Sequence, residues 1–164
     1  VRKKRAAKSN QVYLIVLLFI LLLAAIVVIQ AFSTQSDSDP RQAVYFNTDP
    51  TEIIIASPKS GGVISSPLVI SGLARGHWYF EAVFHAALVN WDGLIISESY
   101  VAASSDWMSE NLVPFRGAIE FEIPYEPSGD LPEFMKRGTL ILRKANPSGL
   151  PQHDGGIEVP VRFE

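Results

Sequence analysis

His77, Glu81 and His85, spaced four apart, are the grouping in the sequence that most resembles a set of metal ligands. On a helix this spacing would bring three ligating side chains within reach of one ion. On a strand the same residues share a face but sit about 13 Å from one another, at roughly 3.3 Å per residue. Trp78, Phe80, Ala82, Phe84, Ala86 and Leu88 form an unbroken even-numbered apolar face, which predicts a strand over 78–89 and therefore no metal site. Glu81 then reads as a structural carboxylate accepting hydrogen bonds from a turn or a neighbouring strand. Nucleophilic chemistry finds no better support, since the serines occur in neither a G-x-S-x-G elbow nor an S-x-x-K motif. Nothing in the spacing ties a histidine to a particular serine and aspartate. Glu120 and Glu122 have the chemistry of a glycosidase pair, but they alternate with Ile119, Phe121 and Ile123 and so read as the solvated face of a strand over 118–124. No phosphate-cradling glycine loop is present, and the absence of cysteine excludes thiolate sites, disulfides and a lipid-modified cysteine anchor. The reading is of a protein with no catalytic residues, no metal site and no cofactor. The aromatic residues remain: Trp91, Tyr79 and Tyr100 are the expected binding residues, able to stack on sugars or anchor a protein partner. Trp78 and Trp107 read as core or loop packing.

The elements that must position these aromatics lie in the C-terminal part of the chain, where all 11 glycines occur at or after Gly61. Strands are expected over 53–56, 68–72, 78–89, 94–101, 118–124, 139–144 and 157–164, from period-two alternation and β-rich composition. Ser60-Gly61-Gly62, Asp92-Gly93, Pro127-Ser128-Gly129 and Pro147-Ser148-Gly149 mark turns between them. Residues 131–137 read as a single helical turn. Pro160 lacks a donor, which places the last strand at an edge or turns its N–H side to water. Some seven short strands with no long amphipathic helix predict an all-β, immunoglobulin-like β-sandwich over 52–164.

The rest of the chain has a different character. Of the 164 residues, 48% are hydrophobic and 19% charged, but 20 of the 21 residues from Val12 to Phe32 are apolar, Gln30 being the exception. As a helix this run is about 30 Å long, enough to cross the hydrocarbon core of a bilayer. A cleaved signal peptide would need a shorter apolar core and a small-x-small site, and Ile29-Gln30-Ala31 lacks the first small residue. One transmembrane helix, an uncleaved signal anchor at 12–32, is therefore expected, with the lipid bilayer as its partner. Arg2, Lys3, Lys4, Arg5 and Lys8 precede it, and Asp37, Asp39 and Asp49 outweigh Arg41 after it. Basic flanks stay inside, so 1–11 is expected to be a cytoplasmic tail and the C-terminal domain to lie outside the cytoplasm, on a cell membrane crossed once. Residues 33–51 form a polar linker whose AVYF segment at 43–46 is either an extra edge strand or a patch resting on the domain. Taken as a flexible coil, a linker of about 20 residues reaches roughly 25 Å, keeping the domain near the membrane. With 8 basic and 14 acidic residues, 52–164 carries a net charge of −6, which argues against nucleic acid as a partner.

Taken in order, ASP, SGG, ISSPLVISGLARG, WYFEAVF, WDG, SDWM, VPFRGAIEF, GTLILRKANPSGLPQHDG and VPVRF make 52–164 resemble one family. It is the immunoglobulin-like domain of bacterial spore-germination and related envelope proteins. The pieces that carry the likeness as a set include Ser57-Pro58, Ser66-Pro67-Leu68, Phe80-Glu81, Asp92-Gly93, Pro114-Phe115, Asn146-Pro147-Ser148-Gly149 and Pro160-Val161. The resemblance implies a β-sandwich outside the membrane in an accessory, non-catalytic role, and it brings no catalytic residues. Germination proteins of this kind are usually lipid-anchored and carry companion domains, whereas this chain has no cysteine and one such domain behind an apolar span. The function expected is that of a membrane-anchored interaction module binding an envelope protein or a cell-wall glycan. The alternative is an architectural domain of an envelope or germination-type assembly with no discrete ligand.

Overall fold

The structure, a computed structural model, describes residues 42–126 and 130–164. The tail at 1–11, the span at 12–32, the linker through residue 41 and the turn at 127–129 lie outside the described residues. Among the described residues no helix is long and apolar enough to cross a membrane.

Nine strands make up almost all the regular structure described: β1 (Val44–Phe46), β2 (Ile53–Ser57), β3 (Gly62–Ile64), β4 (Leu68–Arg75), β5 (Val83–Asn90), β6 (Ile95–Ala103), β7 (Leu112–Ile119), β8 (Arg137–Arg143) and β9 (Gly156–Phe163). They follow the order β1-β9-β8-β5-β6-β7-β4-β2, with β3 added in parallel beside β9. β6 and β7 pair only through Ala102↔Arg116 and Ala103↔Phe115, so the sheet turns a corner there. Its two arms, β2-β4-β7 and β1-β9-β8-β5-β6, close over one core. β2 belongs to the first arm, and the chain then crosses to the second as β3. This curled, all-β arrangement is consistent with an immunoglobulin-like fold.

Alternation decides which side chains enter the core. Ile157, Val159, Val161 and Phe163 of β9 point inward and Glu158 and Arg162 outward, while Ile70, Ala74, Val113, Phe115 and Ile119 supply the opposite wall. At the centre Phe84 meets three rings edge-on: Trp78 at 5.4 Å, Tyr79 at 5.3 Å and, from the facing arm, Phe115 at 5.1 Å. The Trp78 indole N–H donates to Glu52 Oε2 at 3.3 Å, and His77 Nε2 lies 2.9 Å from the same oxygen. One carboxylate at the start of β2 thus holds the short 3-10 turn Gly76–Trp78. Burial opposes ionisation of Glu52, but the hydrogen bond and charge of His77, the Trp78 N–H and Lys144 outweigh it and hold its pKa below the ordinary 4.5. Gly76 lets the loop after β6 close over this turn, because a Cβ there would fall on the backbone oxygens of Trp107 and Ser109.

Several expectations are corrected. The strand over 78–89 begins only at Val83, because Glu81 (φ 52°) and Ala82 (φ 64°) form a two-residue reversal between Phe80 and Val83, which exchange backbone hydrogen bonds of 3.0 and 3.2 Å. Left-handed conformations at both central positions suit such a hairpin turn, yet neither residue is one that advertises it. Phe80 is consequently exposed, and Glu81 contributes its backbone while its side chain points to solvent. The strand expected over 118–124 ends at Ile119 and begins earlier, at Leu112. β9 is no edge strand: β1 pairs with Gly156, Ile157 and Glu158 and β3 with Val161, Arg162 and Phe163, leaving Pro160 in the gap between them. The Phe163 N–H points to β8, so by alternation the donor that Pro160 lacks would have faced that gap. There its carbonyl accepts the Gly61 N–H at 2.7 Å. The AVYF segment resolves to an edge strand, β1, and β3 is a strand the sequence reading did not include.

Two outcomes are expected. Phe84→Ala, which empties the meeting point of the two arms, should cost about 3–5 kcal/mol in chemical denaturation, and Phe84→Leu markedly less. Glu52 has a depressed folded-state pKa, so its stabilisation is present above 4.5 and is lost as pH falls through the folded value. The difference in melting temperature between the wild type and Glu52→Gln should therefore be largest near about pH 6 and shrink toward about pH 3. A constant difference would rule out the ionic role.

Candidate functional site

The β5–β6 hairpin is shaped by Asn90. Its side-chain oxygen accepts the N–H groups of Asp92 (3.0 Å) and Leu94 (2.8 Å), its own N–H donates to the Leu94 carbonyl at 3.0 Å, and Gly93 takes the positive φ of 80° that the reversal needs. This arrangement leaves Trp91 on the outside, 48% exposed, with its ring edge-on to Phe134 at 4.9 Å. Phe134 sits in the segment before β8, expected to be a helical turn and found as successive turns closed by Met135 N–H to Pro132 O and Arg137 N–H to Phe134 O. Glu133 ties that segment to β9, meeting Lys136 at 3.2 Å and Arg162 at 2.6 Å. The Lys136 hydrogen bond and the two cations hold the Glu133 carboxyl below the usual carboxylate range. Beside the hairpin lies an open groove of about 790 Å³.

The three aromatics expected to bind do not share one surface. Tyr100 stands on the outer face of β6, 64% exposed, opposite His85, whose ring meets it edge-on at 5.6 Å and whose Nε2 lies 3.2 Å from Glu98 Oε1. About five residues of strand, roughly 17 Å, separate it from the hairpin. Tyr79 is corrected outright. It is 4% exposed, packs against Phe84 and donates its hydroxyl to the Val113 carbonyl at 2.9 Å. Burial pushes its pKa up to about 12. It is a core residue joining the two arms, placed inward because the 3-10 turn and the Glu81–Ala82 reversal displace the alternation that the sequence suggested.

The ligand-like residues are also dispersed. His77 faces Glu52 and His85 faces Glu98, and among the described residues no three carboxylates or imidazoles are grouped to hold a metal ion. One serine does approach a histidine, in the loop between β8 and β9: Ser148 Oγ lies 3.0 Å from His153 Nδ1. Its hydroxyl has one proton, and that proton goes to Asn146 Oδ1 at 2.6 Å, because the Asn146 amide nitrogen is donating to Leu150 O and Asp154 Oδ1. His153 Nδ1 is then the donor to Ser148, the reverse of what a general base requires. The Leu150 N–H adds a second donor at 3.3 Å. The cluster fixes a loop; it does not activate a nucleophile.

The sequence reading missed Phe134, which nothing in the mixed segment LPEFMKR singles out, and Asn90, which precedes the recognised Asp92-Gly93 and caps the hairpin that carries Trp91. Tyr79→Phe should lower stability by about 1–2 kcal/mol in urea denaturation, because a buried carbonyl loses its donor; no loss would contradict the structural assignment.

No curated protein and no solved structure matches this chain. A model of the immunoglobulin-like domain of bacterial spore germination matches residues 52–134, from the residue before β2 to the segment carrying Phe134. The resemblance read from the sequence ran further, to residue 164, and β8 and β9, beyond the match, complete the second arm by pairing with β5 and with each other. With just over half its length matched, and an all-β arrangement consistent with such a fold, the chain belongs to the family of the immunoglobulin-like domain of bacterial spore germination.

Proposed function

We propose that this chain is a membrane-anchored interaction module. Residues 12–32 cross the bilayer once, the basic tail stays in the cytoplasm, and the immunoglobulin-like domain stands outside it, binding an envelope protein or a cell-wall glycan without catalysing a reaction. The membership of an immunoglobulin-like family and the dispersal of the polar residues support the non-catalytic reading. The apolar 21-residue run and the five basic residues before it support the anchor and its orientation. The observation that carries the binding role is the Trp91–Phe134 pair, two half-exposed rings held at 4.9 Å on a hairpin and a turn that are each fixed by their own hydrogen bonds. Exposed aromatic groups on rigid supports lose little entropy on binding, which is why they anchor interfaces.

Two measurements test this. Protease added outside spheroplasts should remove the domain over 52–164, and protection would sink the orientation. A photo-cross-linking amino acid at position 91 should trap a discrete protein or glycan adduct in intact cells, whereas one at Thr139 should not. Equal or absent adducts at both positions would favour the architectural role without a discrete ligand.

A further inference from the structure

The groove beside the β5–β6 hairpin, lined by Asn90 and Leu94 but not by Trp91, has a composition that specifies more than an apolar contact. β4 pairs with β7 only as far as Leu68↔Ile119, and β6 with β7 only at the corner. The chain beyond Ile119 nevertheless keeps its alternation. Phe121 turns inward, 5.6 Å from Phe163, while Glu120 and Glu122 stay exposed. One hydrogen bond, Ser97 Oγ to Glu120 O at 2.7 Å, crosses to β6. Among the described residues the backbone groups of Glu122 and Ile123 have no hydrogen-bond partner. The groove lies between this run and the start of β6, lined by Leu94, Ile95 and Ile123, all substantially exposed, and by Glu120 and Glu122. None of the described residues lining it is basic.

An unpaired extended backbone, an apolar wall and two uncompensated carboxylates on one side together describe a complement. We propose that the groove binds an extended peptide segment of a partner protein in which apolar residues alternate with lysine or arginine. Its backbone pairs with Glu122, whose N–H and C=O by alternation face the same side as the Glu120 carbonyl that Ser97 of β6 reaches, its apolar side chains lie on Leu94, Ile95 and Ile123, and its cations meet Glu120 and Glu122. This inference rests on the interaction-module reading and names the partner as protein of that pattern, not glycan.

The test uses the full-length chain in nanodiscs of zwitterionic lipid and two fluorescent probe peptides of about ten residues, one alternating Lys and Val and one alternating Glu and Val. The Lys–Val peptide should bind saturably and about tenfold or more tighter than the Glu–Val peptide, a difference of about 1.4 kcal/mol. Combined Glu120→Gln and Glu122→Gln should remove most of that preference, and Ile95→Ser should weaken binding of the Lys–Val peptide. Glu158→Gln, on the outer face of β9, should change nothing. The proposal is overturned if neither peptide binds, if both bind equally, or if the double substitution leaves the preference intact. Should the peptides fail while the position-91 adduct persists in cells, the interaction module stands and the peptide chemistry falls.

Discussion

The domain depends on Phe84 sitting between rings from both arms of the sheet. Its contacts with Trp78 and Tyr79 on one side and Phe115 on the other can form only if the chain delivers two consecutive aromatics to the core just before β5. An ordinary strand cannot do this, since neighbouring residues face opposite ways. The 3-10 turn at Gly76–Trp78 and the reversal at Glu81 and Ala82 solve the problem by breaking the alternation where it would have exposed Tyr79. The surrounding polar groups then secure that break. Glu52 holds His77 and Trp78, the Tyr79 hydroxyl reaches Val113, the Ala145 N–H donates to the Trp78 carbonyl at 2.9 Å, and the Ala103 N–H donates to the Ala82 carbonyl at 2.8 Å.

The same corner that closes the core leaves a surface open. Beyond the short β6–β7 pairing at Ala102↔Arg116 and Ala103↔Phe115 the arms separate, and the chain past Ile119 continues without a ladder. The outer side of β9, by contrast, is covered. β1 and β3 share the outer side of β9 end to end, and Pro160 occupies the one step where neither could use a donor. Unpaired backbone next to exposed apolar side chains is a liability for a soluble surface. Its occurrence at the hairpin that also carries Trp91 distinguishes this end from the outer sheet face, where Tyr100 stands beside His85 and Glu98.

Much of this was legible in the residues. β2, β4, β6, β8 and β9 were recognisable because alternation and β-branched composition are local, and Asp92-Gly93 announced its hairpin because positive φ is rare outside glycine, asparagine and aspartate. The reversal at Glu81–Ala82 was not legible, because neither residue favours that conformation and only the surrounding contacts impose it. The inward turn of Tyr79 was lost with it. Pro160 offers two readings, an edge strand or an N–H side turned away from any ladder; the first fails because β1 and β3 flank β9, and Pro160 falls in the gap between them. Phe134 became part of the candidate site only through a partner far away in sequence.

By itself, the sequence determined the all-β character, the positions of most turns, the polarised charge and the family, because periodicity, glycine placement and motif order are properties of neighbouring residues. Tertiary structure alone decided which aromatics are surface and which are core, how β9 is flanked, and where the groove lies. Those outcomes depend on which distant segments meet across the sheet, and the exposure of a ring is a property of its neighbours in space and not of its place in the chain.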